Sequence, residues 1–332
     1  MAKKNPTIAV LSSGGDAPGM NAAIRSVVRS GIGRGCTMLG IRRGYHGLIH
    51  NEIEPLGLRS VSDIIHRGGT VLYTARSKEF MEPGGFRRAL QVLEQHEVDG
   101  LVVIGGDGSF RGALELSRHN IDVACIPGTI DNDIACSEYT IGFDTAVNTV
   151  ISMVDRLRDT AQSHERCSVI EVMGRRCGNI ALEAGIATGT TAVLVPEIAY
   201  DYERDVLDRI ASTRATGKRH FIILAAEGIF KQENPRFDSA EHFSDAIAED
   251  TGLDSRSTVL GHVQRGGSPS AKDRIVASEM GYLAIELLAT GRGNRVIAVR
   301  DGKVCDLDVE KALADTRTFD FELYRMAQGI SI

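Results

Sequence analysis

Pro127-Gly128-Thr129-Ile130-Asp131-Asn132-Asp133 sets two carboxylates two residues apart, directly behind the apolar run Val123-Ala124-Cys125-Ile126. A buried strand that ends in a glycine-bearing acidic turn puts charge at the edge of a sheet, where open α/β sheets bind ligands. Two more apolar runs end in the same way. Leu101-Val102-Val103-Ile104 leads into Gly105-Gly106-Asp107-Gly108-Ser109, and Ile8-Ala9-Val10-Leu11 leads into Ser12-Ser13-Gly14-Gly15-Asp16-Ala17-Pro18-Gly19. Glycine lets a backbone approach a phosphate closely, and the helix that follows offers unpaired N–H groups. Asp107, between glycines, is either a metal ligand or a plain helix cap. Asp131 and Asp133 alternate with Asn132, so in an extended turn they face one side. One can take a proton while the other holds water or metal; the plainer alternative is a turn with no chemistry.

The basic residues matter as a set. Arg76 follows Gly68-Gly69-Thr70, Arg166 and Arg175 bracket one apolar run, and Arg256, His262 and Arg265 bracket another. Each alone reads as a surface charge, and His262 alone as a core histidine. Together they would form a phosphate clamp, because arginine grips phosphate in a fork. Glu227, behind a buried run, could accept a hydroxyl proton or end a strand in a salt bridge. Glycines, exposed acids and arginines together point to phosphoryl transfer, which rests on positioning and charge neutralisation. Two commoner phosphate binders are disfavoured by spacing. Gly105 through Gly112 does not fit G-x-G-x-x-G, because its last interval, Gly108 to Gly112, is one too long, and no Lys-Ser/Thr follows Gly19 as a P-loop needs.

The elements that must position these residues alternate. Strands are expected at 7–12, 37–41, 100–104, 122–126, 167–172, 192–195, 220–225 and 257–261. Helices are expected at 19–32, 61–67, 86–97, 109–118, 142–163, 178–187, 201–214, 239–250 and 270–289. Asp301-Gly302 reads as a hairpin turn. Such alternation predicts an α/β fold with mostly parallel sheets. At 332 residues, two domains are expected, with a boundary near the 142–163 helix. The 14–19 and 105–112 turns are too little alike to make a repeat.

Composition excludes other classes. Lysine plus arginine number 38 against 44 acids, a net charge of −6, which argues against a nucleic-acid partner. Tryptophan is absent and aromatics are 5%, so base-stacking platforms are not expected. The hydrophobic fraction of 42% suits a globular core, and no apolar run approaches the length of a membrane span. The six cysteines are scattered with no C-x-x-C pair, which reads as free thiols in a reducing compartment. Residues 1–6 carry no leader pattern. The expected location is the cytoplasm.

The segments Ser13–Ala22, Gly105–Ser109, Pro127–Asp133, Met173-Gly174-Arg175 and Gly261–Pro269 together resemble the bacterial-type ATP-dependent 6-phosphofructokinase family, in order over about 8–270. The resemblance implies transfer of the ATP γ-phosphoryl to the 1-hydroxyl of fructose 6-phosphate. It casts Asp131 as general base, Thr129 beside the transferred group, Asp133 as a supporting acid, and Arg76 and Arg175 as charge neutralisers. Asp107 would hold Mg²⁺. Gly15 would give its N–H to the phosphates, with Gly106, Gly108, Ser109, Ser77 and Tyr45 around the nucleotide. The sugar phosphate would meet Ile130, Met173, Gly174, Glu227, His262, Val263, Gln264 and Arg265, with Arg166 and Arg256 from a neighbouring subunit. The implied architecture is two three-layer α/β domains, 1–142 plus 258–308 for ATP and Mg²⁺ and 143–257 plus 309–332 for the sugar, with the active site in the interdomain cleft. The implied assembly is a homotetramer, with a dimer as the alternative.

Within that resemblance, pyrophosphate-using relatives carry Asp at the Gly108 position and Lys at the Gly128 position, so glycine at both favours ATP. Arg25, Arg29, Arg158, Lys218 and His220 fit the family's effector site. Leu58, Thr191 and Thr216 depart from it, Arg59 lying one place over, so control by ADP or phosphoenolpyruvate is expected to be weak, altered or absent. The rival readings are a pyrophosphate phosphofructokinase, a lipid or NAD kinase sharing the Gly-Gly-Asp-Gly turn, and a silent sugar-phosphate or nucleotide sensor.

Overall fold

The computed structural model describes residues 5–233, 235–316 and 318–331. Residues 1–4, which carry most of the leader reading, lie outside that range. In chain order the strands are β1 Thr7–Ser12, β2 Thr37–Ile41, β3 Ile53–Pro55, β4 Gly100–Gly105, β5 Asp122–Pro127 and β6 Cys167–Val172. They continue as β7 Ala192–Leu194, β8 Phe221–Ala226, β9 Ser255–Val259, β10 Arg295–Arg300 and β11 Lys303–Asp308. The chain forms two compact units. The first holds Met1–Ile130, Ile134–Thr145 and Arg265–Arg317; the second holds Asp131–Asp133, Ala146–Gln264 and Thr318–Ile332.

Among the described residues, the first unit carries a seven-stranded sheet in the order β11-β10-β5-β4-β1-β2-β3. Its interior is parallel, and antiparallel pairs close the edges, β2 with β3 and β10 with β11. β4 is buried along its whole length and β1 almost so, as expected for strands covered on both faces. One side of the sheet packs on a cluster that includes Leu11, Ile41, Leu93, Leu101, Val103 and Phe110. The second unit holds a parallel four-stranded sheet, β7-β8-β6-β9, packed on a core that includes Tyr202, Phe221, Phe230 and Phe243.

The units depart from the sequence bounds in four places, two of them short: Asp131–Asp133 group with the second unit and residues 143–145 with the first. β9 hydrogen-bonds to β6, which carries 258–264 with the second unit. The helix Val309–Ala314 follows β11 directly and has Val309 and Ala312 in the first unit's core. The expected helix at 61–67 is instead a run of turns. Val61 and Ile64 are buried, but Gly57 N–H is taken by Ser60 Oγ and Ser62 Oγ turns back to the Leu58 carbonyl, local bonds that compete with a helix. Helix 201–214 opens as a π turn over Glu203–Leu207 before the α-helix Asp208–Ala215. The short helix Gly44–Ile49 was not expected, because two glycines in six residues depress helix propensity. Packing overrides propensity here, since any Cβ on Gly47 would overlap the Arg42 carbonyl oxygen.

Cys36, Cys125, Cys136 and Cys167 are buried, and none of the six cysteines is in a disulfide. Burial pushes the Cys136 thiol up to about 11 and Cys167 to about 12. Among the described residues no helix is long and apolar enough to cross a membrane.

Candidate active site

Strand order sets the first half of the site. β1 leads outward to β2 and β4 leads outward to β5, so the order reverses between β1 and β4. Such a reversal leaves a crevice at the carboxyl ends of the strands. Register aligns those ends: Ser12 pairs with Ile104 and Gly105 with Pro127. The ladder runs on past them, Ser13 N donating to the Ile104 carbonyl and Gly128 N to the Gly105 carbonyl, both at 2.9 Å. Three glycine-bearing turns therefore leave one sheet edge side by side. Gly14 sits at φ 90°, a conformation that glycine adopts freely, and its carbonyl accepts a hydrogen bond from Thr74 Oγ1.

Asp107 opens the helix Asp107–Ser117 and is exposed, as is Gly108. A Cβ at Gly108 would meet nothing within 4 Å, whereas one at Gly105 would lie 2.5 Å from the Ser13 carbonyl oxygen. The two glycines have opposite uses, one keeping space open and the other letting backbones touch. A single accessible carboxylate beside open space suits Mg²⁺, which keeps several waters and takes phosphate oxygens as its other ligands. Arg265 lies on this turn. Its guanidinium donates to the Asp16 carbonyl at 3.1 Å and covers Gly15, where a Cβ would come within 2.6 Å of Nη1. Arg76 is exposed, and Ser77 Oγ accepts from Phe80 N.

Tyr45, which the resemblance sets near the nucleotide base, packs against the Gly105–Ser109 turn. It is buried, its ring stacks on Phe80 with centroids 4.1 Å apart, and its hydroxyl donates to the Ser109 carbonyl at 2.6 Å. It supports the turn from beneath. Thr129 is likewise held: its carbonyl accepts from Thr140 Oγ1 at 2.6 Å, and Gly128 bridges to Ile141. Ile130 is buried.

Asp273, which the sequence reading passed over, anchors that returning segment. Fully buried, it accepts from Tyr139 Oη and Gly142 N at 2.6 Å and from Thr145 N at 2.9 Å. Burial pushes its carboxyl above the ordinary range, and these donors partly offset the rise. The available signal was Ser270-x-x-Asp273 ahead of an apolar helix, a capping box in which Ser270 Oγ accepts from Asp273 N.

The second unit gathers the acids. Asp131 is fully buried, and Arg175 Nε lies 3.3 Å from its Oδ2 while Nη1 lies 3.9 Å from Asp133 Oδ2. The acidic turn is not extended as expected, since Asn132 sits at φ 48°. The turn still presents both carboxylates to one guanidinium. Asn179, also unforeseen, donates from Nδ2 to the carbonyls of Asp131 and Asn132 at 3.2 Å and fixes the turn. Arg175 itself has φ 55°, a strained setting for a side-chain-bearing residue and common at functional sites.

The ends of β6, β8 and β9 adjoin in register, Val172 opposite Ala226 and Glu171 opposite Val259. Arg175 N donates to Glu227 Oε1 at 3.0 Å, and Met173 N to Gln264 Oε1 at 3.2 Å. Burial pushes the Glu227 carboxyl up, but its Lys231 partner and the Arg175 and Gly174 N–H groups outweigh that and leave it below the ordinary range. Arg175, Arg176, Pro196, Glu227 and Lys231 line a cavity of about 630 Å³. Gly174 is buried, and His262 and Val263 are exposed on the turn after β9. Arg166 and Arg256 are not brought to this edge. They start β6 and β9 at the far end and both pair with Asp254, Arg256 at 3.1 Å.

Parallel sheets whose strand ends carry open glycine turns in one unit and arginine-paired acids in the other define an α/β protein suited to phosphate chemistry. Residues 7–288 match the phosphofructokinase family. Over 325 residues the chain is 51% identical to an ATP-dependent 6-phosphofructokinase of Clostridium botulinum (strain Hall), covering 98% of this chain and 99% of that one. It is 50% identical over 326 residues to the same enzyme of Alkaliphilus metalliredigens, with 98% and 99% coverage. The solved phosphofructokinase of Saccharomyces cerevisiae matches with a TM-score of 0.86 at 34% identity, over 98% of this chain and 47% of that one, so this chain spans about half of the yeast chain. The chain belongs to the phosphofructokinase family.

Proposed function

We propose that the chain uses ATP to phosphorylate D-fructose 6-phosphate at its 1-hydroxyl, giving fructose 1,6-bisphosphate and ADP in glycolysis in the cytoplasm. The observation that carries this reading is 51% identity along 98% of the chain to an enzyme named for ATP-dependent 6-phosphofructokinase activity. Asp131 is the general base in this proposal. An ordinary carboxylate, with a pKa of about 4, is a weak base at neutral pH. Its effect comes from being fixed against the acceptor hydroxyl, and such positioning can supply up to roughly 7–11 kcal/mol. Asn179 holding the turn and Arg175 holding the carboxylate support that role.

Arg175 and Arg76 neutralise charge on the moving phosphoryl group, with Thr129 beside it and Asp133 in support. Gly15, Gly106, Gly108, Ser109 and Ser77 receive the nucleotide, and Asp107 holds Mg²⁺. Bound Mg²⁺ would draw charge from the phosphate oxygens. Met173, Gly174, Glu227, His262, Val263, Gln264 and Arg265 receive the sugar phosphate.

Arg166 and Arg256 bear on assembly. Arg166 directly precedes β6, which is six residues long, so at about 3.3 Å per residue the strand sets it roughly 20 Å from Val172 at the other end. Arginines at its start would therefore serve the sugar phosphate of a neighbouring copy, which supports a homotetramer or dimer. Gly108 favours ATP over pyrophosphate, since the open space there leaves room for a nucleotide α-phosphate. Initial rates with ATP and with pyrophosphate, each at saturating fructose 6-phosphate, test the reading. Turnover with ATP alone is expected; turnover with pyrophosphate alone, or with neither, overturns it.

A further inference from the structure

We propose that His46, His50 and Glu79 form a binding site for a divalent transition-metal ion, and that Zn²⁺ is the ion it takes. One nitrogen from each histidine and one oxygen of Glu79 lie within 4.8 Å of one another. His46 and His50 are four residues apart on the helix Gly44–Ile49 and its capping residue, the spacing that sets two imidazoles on one helix face. Their rings are 4.3 Å apart, centroid to centroid.

Two further contacts fix the donor atoms. His50 Nδ1 lies 2.8 Å from the His46 carbonyl oxygen, which can only accept, so Nδ1 carries a proton and Nε2 is the nitrogen left to bind a metal in the neutral ring. That free nitrogen faces Glu79 Oε2 at 3.9 Å. Glu79 Oε1 is bonded instead by Arg88. Metal-bound imidazoles and carboxylates are characteristically held by such outer partners. With Zn–N and Zn–O bonds of about 2.0–2.1 Å, tetrahedral ligands stand about 3.4 Å apart. Small rotations of His50 and Glu79, both partly in solvent, close the remaining gap, and water completes the fourth position. Two imidazoles argue against Mg²⁺, which prefers oxygen ligands.

The site shares no residue with the Asp107 turn or with the acids of the second unit, and it does not depend on the proposed reaction. Its effect would be local: it would tie the Gly44–Ile49 helix to the Glu79–Met81 turn, already joined by Tyr45 on Phe80.

The test is calorimetric titration of Zn²⁺ into the full chain, freed of metal by chelation and without nucleotide, with Co²⁺ as a spectroscopic probe. One ion per chain is expected, with a four-coordinate Co²⁺ absorption band. His46→Gln, His50→Gln and Glu79→Gln should each weaken binding by at least about tenfold. His242→Ala, on an exposed His–Asp pair elsewhere, should leave binding unchanged. Circular dichroism confirms that each variant is folded. Absence of stoichiometric binding, or binding that survives His46→Gln and His50→Gln in folded protein, overturns the proposal.

Discussion

Asp107 and Asp131 both follow apolar strands, yet the fold treats them in opposite ways. Asp107 is exposed on the first turn of a helix, with empty space beside it at Gly108. Asp131 has no exposed surface and lies against a guanidinium. An exposed carboxylate can exchange ligands with solvent, which suits an ion that arrives with a nucleotide. A buried one is fixed in place, which suits a group that must meet one acceptor atom. The same residue type, each time just past a strand end, is thus suited to delivery in one unit and to aim in the other.

The largest effect expected from breaking this contrast is at Asp131. Asp131→Ser should lower kcat by about 10²–10⁴-fold, the usual scale for a lost general base, with little change in sugar affinity. Near-normal turnover, measured in a coupled assay, would remove Asp131 from the mechanism. The matching change in the open turn is Gly108→Asp. A Cβ there meets nothing within 4 Å, and an acid in the first helical turn is favourable, so the fold should persist. ATP kcat/KM should still fall by on the order of 100-fold, since like charge meets phosphate. If ATP kinetics survived in folded protein, the donor argument would fail.

The supporting residues separate stability from chemistry. Asp273→Ala leaves several buried donors unmatched and should cost about 3 kcal/mol or more in urea unfolding. Asn179→Ala should cost about 1 kcal/mol, while kcat drops more than KM rises because the Asp131 turn loosens. An equal change in both for Asn179→Ala would argue against a positioning role.

Glu227 gives a smaller, pH-dependent effect. Its folded pKa lies below the ordinary value of 4.5, so the stabilisation is present above that value and is lost as pH falls through the lower folded one. Glu227→Gln should therefore lower the urea midpoint at neutral pH, with the difference closing as pH falls below the ordinary value of 4.5. A gap constant across that range would show that the ionised form is not what stabilises. The smallest shift is expected from phosphoenolpyruvate, which should move the fructose 6-phosphate half-saturation by less than the roughly fivefold that marks ordinary allosteric coupling. A larger shift would show that Leu58, Thr191 and Thr216 do not disable control.

The strands were legible because six-residue apolar runs bounded by glycine leave little choice of conformation, as in β1, β4 and β8. The acids and glycines were legible for the same reason, since they sit where those runs stop. The helix Gly44–Ile49 was not, because tertiary packing against the Arg42 carbonyl overrides its glycines. Nor was the placement of Tyr45, whose position beneath the turn depends on Phe80 and Ser109, distant in sequence. Locally Asp273 shows only as a capping-box residue behind Ser270, and nothing near it or Asn179 in sequence announces the amides and carbonyls far along the chain that they bind.

The shielded cysteines offer a way to watch the protein open. Cys125 in β5 and Cys167 in β6 lie in different sheets, and both are wholly withdrawn from solvent. Alkylating reagents attack thiolates, which burial suppresses here. Labelling at each should wait on separation of its own sheet, and mass spectrometry of the two peptides would time the breathing of each half independently.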